Sequence, residues 1–226
     1  MTTEIVEKNY NNNIDDDYNS KTTNKTTNKN MYTNIKIYND DEEYNEILDR
    51  NIEINKLKEW LLNFEINKNE KTIQRGVYIY GAPGSGKTYF VKQVLKNLNY
   101  DIINYDAGDI RNKNVIENIT KQNMSSVNVL SMFKREKKKI CVIMDEIDGM
   151  NNGDKGGINT LIKLIRPKKT KKQKLEEYTL CPIICIGSYH IDKKIRELMK
   201  VCFTIELKRP KNFQIQEMLY KNLKLS

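Results

Sequence analysis

Histidine is nearly absent from this 226-residue chain, which contains only His190, and no stretch approaches eighteen consecutive apolar residues. A single isolated histidine gives no support for a metal site built on imidazole. Without a long apolar run, we predict no transmembrane helix and no membrane partner. The N-terminus also lacks the apolar core of a secretory signal, so we expect an intracellular protein.

Cysteine is scarce as well, and the four residues are not arranged as a zinc finger. Cys141 and Cys185 fall within predicted core strands, whereas Cys181 and Cys202 lie at strand edges. We therefore predict four reduced thiols in the core of a protein from a reducing compartment.

Acidic residues are too few to balance the basic ones, since the chain has 30 Asp and Glu but 39 Lys and Arg, and its net charge is +9. This excess favours an anionic partner, with nucleic acid as the first candidate. A Lys- and Asn-rich composition also fits an AT-rich genome, so the charge alone does not decide. Residues 163–174 are the most basic run, and they either contact a DNA backbone or form a solvated loop. For the second run, 134–139, we favour the solvated loop.

The chain divides into a polar N-terminal part and a patterned remainder. Residues 1–40 are repetitive and cannot bury enough apolar surface to fold, so we expect a disordered tail. Strands are predicted at 76–81, 101–105, 139–145, 182–187 and 202–207. Helices are predicted at 44–65, 87–98, 113–121 (with an extension at 126–135), 157–166 and 191–200. This alternation predicts an α/β domain over 41–210, with a parallel sheet flanked by helices.

Residues 81–88 read Gly-Ala-Pro-Gly-Ser-Gly-Lys-Thr, the P-loop pattern, between a predicted strand and a predicted helix. Its glycines permit backbone angles at which successive N–H groups point at phosphate. Lys87 is predicted to reach the outer phosphates and Thr88 to hold Mg²⁺. A glycine-rich surface turn is the alternative, which the strand–loop–helix context disfavours. The predicted nucleotide-binding residues are Gly81, Ala82, Pro83, Gly84, Ser85, Gly86, Lys87, Thr88 and Tyr89.

A second motif is the apolar run 140–144, which ends in Asp145 and Glu146. Such a run suits a parallel strand buried on both faces, and open α/β sheets bind ligands at the carboxyl ends of their strands. Asp145 is predicted to hold Mg²⁺ through water, and Glu146 to orient or deprotonate the attacking water. An acid pair that is merely solvated is the alternative. Together the two motifs predict an ATPase that uses ATP and Mg²⁺.

Several segments resemble the large subunits of replication factor C, the AAA+ clamp loaders. The most family-specific similarity is Met-Asp-Glu-Ile-Asp-Gly-Met at 144–150, followed by Asn-Gly-Asp-Lys-Gly-Gly-Ile at 152–158. Further agreement lies at 104–111, 182–185, 194–198 and 202–210, so that the resemblance extends over about 44–220. It implies an AAA+ P-loop NTPase core whose five-stranded parallel sheet has the order 5-1-4-3-2.

The resemblance also implies a function: ATP hydrolysis that loads a ring-shaped sliding clamp onto primer–template DNA, at a nuclear or cytoplasmic replication site. The implied partners are small AAA+ clamp-loader subunits, the clamp and DNA. Lys200-Val201-Cys202 stand where small subunits have Ser-Arg-Cys, so this chain is expected to receive a neighbour's arginine finger rather than donate one. Two other functions stay open: a different AAA+ DNA-acting motor or remodeller, and a nucleotide-gated scaffold that does not hydrolyse ATP.

Three positions depart from the family pattern. Ser188 occupies the sensor 1 slot, where Asn is common, and its shorter reach predicts slow hydrolysis. Beside the expected adenine site, Leu48 is predicted to line the base and Asp49 replaces a glycine. The chain stops at Ser226, so 211–226 is expected to begin a truncated α-helical lid. The lid is then supplied by a second polypeptide, missing from a fragment, or lost with a change of function.

Overall fold

The computed structural model describes residues 40–106, 138–152, 157–189 and 192–224. The predicted tail up to residue 39, the predicted helices at 113–121 and 126–135, and His190 lie outside these residues. No helix in the described ranges is both long enough and apolar enough to cross a membrane.

Helices and strands alternate through the described residues as predicted. The helices are α1 (Asp40–Ile47), α2 (Asn51–Asn67), α3 (Lys87–Asn97), α4 (Gly157–Ile165), α5 (Lys193–Val201) and α6 (Asn212–Lys224). The strands are β1 (Gly76–Tyr80), β2 (Tyr100–Tyr105), β3 (Lys139–Met144), β4 (Ile183–Gly187) and β5 (Phe203–Glu206). Short 3₁₀ turns cover Ile147–Asn152 and Gln173–Leu175.

All five strands lie parallel in one sheet with the order β2-β3-β4-β1-β5, which confirms the predicted order. Tyr78 of β1 pairs with Cys185 of β4, and Ile79 pairs with Ile205 of β5. On the other side of β4, Val142 pairs with Ile183. The carboxyl ends of β1, β3 and β4 therefore meet at one edge of the sheet, here called the carboxyl edge; the opposite edge is the amino edge.

Each face of the sheet packs against its own helices, because successive strand side chains point to opposite faces. Val77 and Ile79 face α2 and α3, with Phe64 and Phe90 among the buried partners. Tyr78, between them in sequence, faces the other layer. That second layer comprises residues from α4 and α5: Ile158, Leu161, Leu164, Ile165, Ile195 and Leu198. The domain is thus a three-layer α/β/α structure. All four cysteines are buried free thiols, as predicted.

The single helix predicted at 44–65 is wrong: the structure has two helices separated at residues 48–50. Asp49 adopts a left-handed backbone (φ 53°), a conformation that is uncommon for residues with a Cβ, and this breaks the helix. Ile52, near the start of α2, does not lie on the buried face of that helix, since 65% of it is exposed. Gln214 of α6 stabilises the break by donating to the Ile47 carbonyl (2.9 Å) and the Asp49 carboxylate (3.1 Å).

Two buried cations organise the amino edge. Arg75 donates to the carbonyls of Lys68 (2.8 Å), Thr179 (3.0 Å) and Glu70, and its guanidinium lies 4.2 Å from the ring centre of Tyr178. Burial lowers the pKa of Arg75 to about 10. These contacts tie the connection that precedes β1 to the connection that precedes β4.

Lys168 is the second buried cation, and its position corrects a prediction. Its side chain is fully buried and donates to the carbonyl of Lys163 and to Glu176 (3.2 Å), so it cannot touch DNA. Arg166 also binds Glu176, through two hydrogen bonds. The exposed basic residues of the run are Lys163, Lys169, Lys171, Lys172 and Lys174.

Candidate functional site

The P-loop leaves β1 at the carboxyl edge and enters α3. Gly84 and Gly86 have left-handed backbones, with φ of 73° and 77°. A Cβ on Gly86 would lie at an ordinary contact distance of 3.5 Å from the Arg50 guanidinium, so the backbone angle rather than lack of space favours glycine here. The positive φ values of Gly84 and Gly86 allow the loop to turn its N–H groups inward toward an anion. The N-terminus of α3 adds the positive end of a helix dipole at the same point.

Arg50 supports the P-loop from behind. Its guanidinium donates to the carbonyl of Ser85, and only 4% of the residue is exposed. Burial is the main cause that lowers the pKa of Arg50, against an opposing contribution from Glu53. Sequence reasoning missed this residue, because nothing in the local pattern indicates that Arg50 reaches a loop 35 residues further along the chain.

Lys87 begins α3 and folds back over the loop. Its ammonium group donates to the carbonyls of Gly81 (3.1 Å) and Ala82 (3.0 Å). An ammonium group has three N–H donors, and these two carbonyls use two of them, so the third can donate to another acceptor. The cavity beside the loop is lined by Lys87, which places this positive charge where the outer phosphates of a nucleotide would lie.

Thr88 and Asp145 meet across the carboxyl edge, which joins the two motifs that the sequence placed 57 residues apart. The Thr88 hydroxyl donates to one carboxylate oxygen of Asp145 at 2.7 Å. The other oxygen accepts from the N–H of Glu146 at 3.0 Å, and the Asp145 N–H donates to the Tyr105 carbonyl at 2.8 Å. A hydroxyl and a carboxylate at one point are the oxygen ligands that Mg²⁺ prefers.

Glu146 follows Asp145 in a strained turn. Its φ of 51° is uncommon for a residue with a Cβ, and such conformations cluster at functional sites. The Glu146 carbonyl accepts from the N–H of Gly149 at 2.9 Å, which fixes the turn. Its side chain is exposed and lines the same cavity as Lys87 and Thr88.

Ser188 and Asp148 form a pair at the end of β4. One carboxylate oxygen of Asp148 accepts from both the N–H (3.0 Å) and the hydroxyl of Ser188. Next to them, a Cβ built on Gly187 would lie 2.1 Å from the hydroxyl oxygen of Tyr78, so only glycine leaves room for that ring. Burial, and then the charge of Asp148, raise the pKa of Tyr78 well above its usual range. Sequence reasoning gave Asp148 no role, because the pattern around it does not indicate that it reaches Ser188.

One cavity of about 780 Å³ joins these groups. Among the predicted site residues, it is lined by Pro83, Gly84, Gly86, Lys87, Thr88, Tyr89, Asp145, Glu146 and Ser188. Gly81, Ala82 and Ser85 do not line it, and Ser85 is only 1% exposed. The inward-turned glycine loop, the lysine and the paired oxygen donors suit a nucleotide triphosphate with Mg²⁺.

Comparison with known proteins identifies the class. The family model described as "ATPase family associated with various cellular activities (AAA)" matches residues 77–210, which is more than half of the chain. The chain therefore belongs to the AAA family of ATPases.

Within that family, the chain is homologous to large subunits of replication factor C. It is 32% identical to replication factor C subunit 1 of Saccharomyces cerevisiae over 69% of this chain and 19% of the relative. It is 31% identical to the replication factor C large subunit of Methanococcus aeolicus over 65% of this chain and 32% of the relative. The alignments thus span no more than about a third of either relative's length. The solved structure of C. elegans PCH-2 superposes on 80% of this chain and 50% of its own, with 16% identity and a TM-score of 0.49.

Proposed function

We propose that this chain binds ATP with Mg²⁺ at the cavity beside the P-loop and hydrolyses it, as the large-subunit component of a clamp loader. The contact between Thr88 and Asp145 carries the proposal, because it brings the two motifs to the one point where Mg²⁺ would be held. Bound there, Mg²⁺ would supply charge stabilisation for phosphoryl transfer. Lys87 would bind the outer phosphates, and Glu146 would take a proton from the attacking water.

Nucleotide binding is tested by calorimetric titration of the chain with ATP in the presence of Mg²⁺. Lys87→Ala should weaken binding by about 10- to 100-fold, since a hydrogen bond to a charged group contributes about 1.5–3 kcal/mol. Lys92→Ala is the matched control, because Lys92 is an exposed lysine on the same helix. Equal affinities for both variants would contradict the proposed site.

The clamp-loading part of the proposal is supported by the homology to replication factor C large subunits. It assigns as partners small AAA+ subunits, which would donate an arginine to this site, together with a sliding clamp and primer–template DNA. It places the protein at a nuclear or cytoplasmic replication site. We expect ATP turnover to rise when small subunits, clamp and primed DNA are added together. A different DNA-acting AAA+ remodeller would be stimulated by DNA but not by the clamp.

DNA contact is assigned to the lysine turn, defined as Lys169, Lys171, Lys172 and Lys174. Hydrogen bonds support the backbone of the turn: the Gln173 side-chain oxygen accepts from two backbone N–H groups at 3.1 Å, and Lys71 donates to the Lys174 carbonyl at 3.1 Å. Residues 163–174 contain no acidic residue, so the charge of these lysines is not neutralised within the run. A cluster of exposed lysines suits contact with successive phosphates of duplex DNA.

Fluorescence anisotropy with a labelled duplex of about 25 base pairs, titrated at several salt concentrations, tests this contact. Changing all four lysines of the turn to Gln should reduce the salt slope by about 0.9 for each phosphate that is no longer neutralised. The control carries the same four changes at exposed lysines elsewhere: Lys56, Lys96, Lys193 and Lys208. A slope that stays the same in the turn variant would make residues 169–174 a solvated loop.

A further inference from the structure

Arg50 follows the break between α1 and α2 and reaches the P-loop from there. Its guanidinium donates to the Ser85 carbonyl, and only 4% of the residue is exposed. Two backbone bonds fix where this side chain starts: the Arg50 N–H donates to the Asn45 carbonyl at 3.0 Å, and the Arg50 carbonyl accepts from the Ile54 N–H at 2.9 Å. Arg50 does not line the cavity beside the loop, whereas Gly86 does. Arg50 therefore contacts the loop without lining the place where a ligand would lie.

The peptide between Ser85 and Gly86 is the one that Arg50 holds. The Ser85 N–H, which belongs to the preceding peptide, donates to the Ala82 carbonyl at 3.2 Å. The Gly86 carbonyl, which belongs to the following peptide, accepts from the Phe90 N–H at 2.9 Å at the start of α3. The contact with Arg50 supplies a bond for the peptide between these two.

A bond to this carbonyl also decides where the Gly86 N–H points. A trans peptide is planar, so its C=O and its N–H point in opposite directions. Glycine accepts positive and negative φ about equally, so the peptide would turn over at little cost if nothing held its carbonyl. In the structure Gly86 has φ of 77°, and the carbonyl accepts from the buried guanidinium of Arg50. The N–H is therefore directed away from Arg50.

We propose that Arg50 is a positioning residue for nucleotide binding: by holding the Ser85 carbonyl, it keeps the Gly86 N–H directed at the phosphates. This inference rests on the ATP site proposed above. The guanidinium would touch neither the base nor the phosphates, and its effect passes through the 85–86 peptide. An N–H that donates to a phosphate makes a charge-assisted bond, so misdirecting it should weaken binding by about tenfold.

This peptide can be observed directly by NMR, because glycine follows serine at only one place in the sequence, Ser85-Gly86. Cell-free synthesis of the full chain with carbonyl-¹³C serine and ¹⁵N glycine therefore yields one HNCO signal, which reports the Ser85 carbonyl and the Gly86 N–H together. The probe is inorganic triphosphate with Mg²⁺, since it has no base. Saturation of the unmodified chain with this probe should move the N–H position of the signal. A signal that stays in place while calorimetry shows binding would overturn the inference.

Arg50→Met removes the donor and keeps a long side chain. The carbonyl position of the HNCO signal should move, because the Ser85 carbonyl loses its hydrogen bond. The calorimetric Kd should rise about tenfold for ATP and for inorganic triphosphate alike, each with Mg²⁺, since the N–H binds phosphate and not the base. A loss confined to ATP would mean that Arg50 shapes the base side of the site, and would overturn the inference. Arg196→Met, at an exposed arginine on α5, is the control and should change neither Kd.

Arg50→Lys separates the position of the peptide from the charge behind it. Lysine keeps the positive charge on a side chain that is one atom shorter, and the carbonyl signal shows whether the bond to Ser85 survives. If the bond survives, both Kd values should stay within about threefold of those of the unmodified chain; if it is lost, both should rise about tenfold. Full affinity with a displaced carbonyl signal would mean that Arg50 acts through its charge alone, which would overturn the inference.

The outcomes also separate this inference from the proposed function. If Arg50→Met does not fold, as judged by circular dichroism, Arg50→Gln replaces it, since its amide is two atoms shorter than the guanidinium and should lose the same bond. A folded variant that binds both ligands as tightly as the unmodified chain would remove the positioning role and leave the ATP site in place. If the unmodified chain binds neither ATP nor inorganic triphosphate, the ATP site and the positioning role are both wrong.

Discussion

Charged side chains have opposite environments at the two edges of the sheet. At the amino edge, Arg75 and Lys168 are fully buried, and they donate to backbone carbonyls and to Glu176. At the carboxyl edge, Lys87 and Glu146 line an open cavity, and Glu146 has a strained backbone. Removing one partner of a buried charge is strongly destabilising, whereas a charge beside a cavity is available to a ligand. Substitutions at the two edges should therefore separate stability from chemistry.

Glu146→Gln should give the largest effect and should leave the fold intact. Loss of a general base lowers the rate of the chemical step by about 10²- to 10⁴-fold. Because the side chain is exposed, the thermal midpoint should stay within about 2 °C of the unmodified chain. Turnover is measured by phosphate release, and binding by titration with ATP. A variant that retains turnover would remove Glu146 from the mechanism, whereas an unmodified chain without turnover would favour the nucleotide-gated scaffold.

Arg75→Met should do the reverse, with a loss of stability. It leaves three carbonyl groups without their donor at the amino edge, and each such group contributes about 1 kcal/mol or more. We expect a decrease of about 3 kcal/mol in the free energy of unfolding, measured by urea denaturation. The matched control is Arg196→Met, an exposed arginine on α5. Equal stabilities of the two variants would show that the buried guanidinium does not hold the two connections together.

Glu176→Gln should give the smallest effect, and its size depends on pH. Hydrogen bonds from Arg166, then those from Lys168, lower the pKa of Glu176 below its ordinary value of 4.5. The carboxylate therefore stabilises the folded state above about pH 4.5, and this contribution is lost as the pH falls through the lowered pKa. At pH 7 the substitution should cost about 1–2 kcal/mol. The difference from the unmodified chain should shrink steadily below about pH 4.5, measured by urea denaturation at each pH.

Glu177→Gln is the control for that series, since Glu177 is the exposed neighbour of Glu176. It should show no comparable pH-dependent loss. A Glu176 variant whose deficit persists unchanged at low pH would mean that the side chain acts through packing rather than through its charge.

The strands of the sheet could be predicted from the sequence because their signals are local, whereas their order was implied by the family resemblance. The apolar runs before Asp145 and before the P-loop each indicate a buried parallel strand. Because both motifs follow the ends of these strands, the sequence places them at the carboxyl edge. The same holds for the buried face of α3, which carries Phe90, Val91, Val94 and Leu95 at helical spacing.

What could not be predicted depends on contacts between distant residues. The break occurs at Asp49, which is left-handed although it carries a Cβ, and Gln214, 165 residues away, helps to hold it. The burial of Lys168 depends on Glu176 and on the carbonyl of Lys163, so a basic run alone gives no sign of it. The roles of Arg50 and Asp148 could not be predicted for the same reason, because each contacts a partner at least 35 residues away.

The tight fit between Tyr78 and Gly187 links two positions that evolution cannot change independently. A side chain at 187 would collide with the phenol ring, so relatives with a larger residue there should carry a smaller one at the position of Tyr78. A design that places a larger residue at Gly187 would therefore need a smaller residue in place of Tyr78 in the same variant.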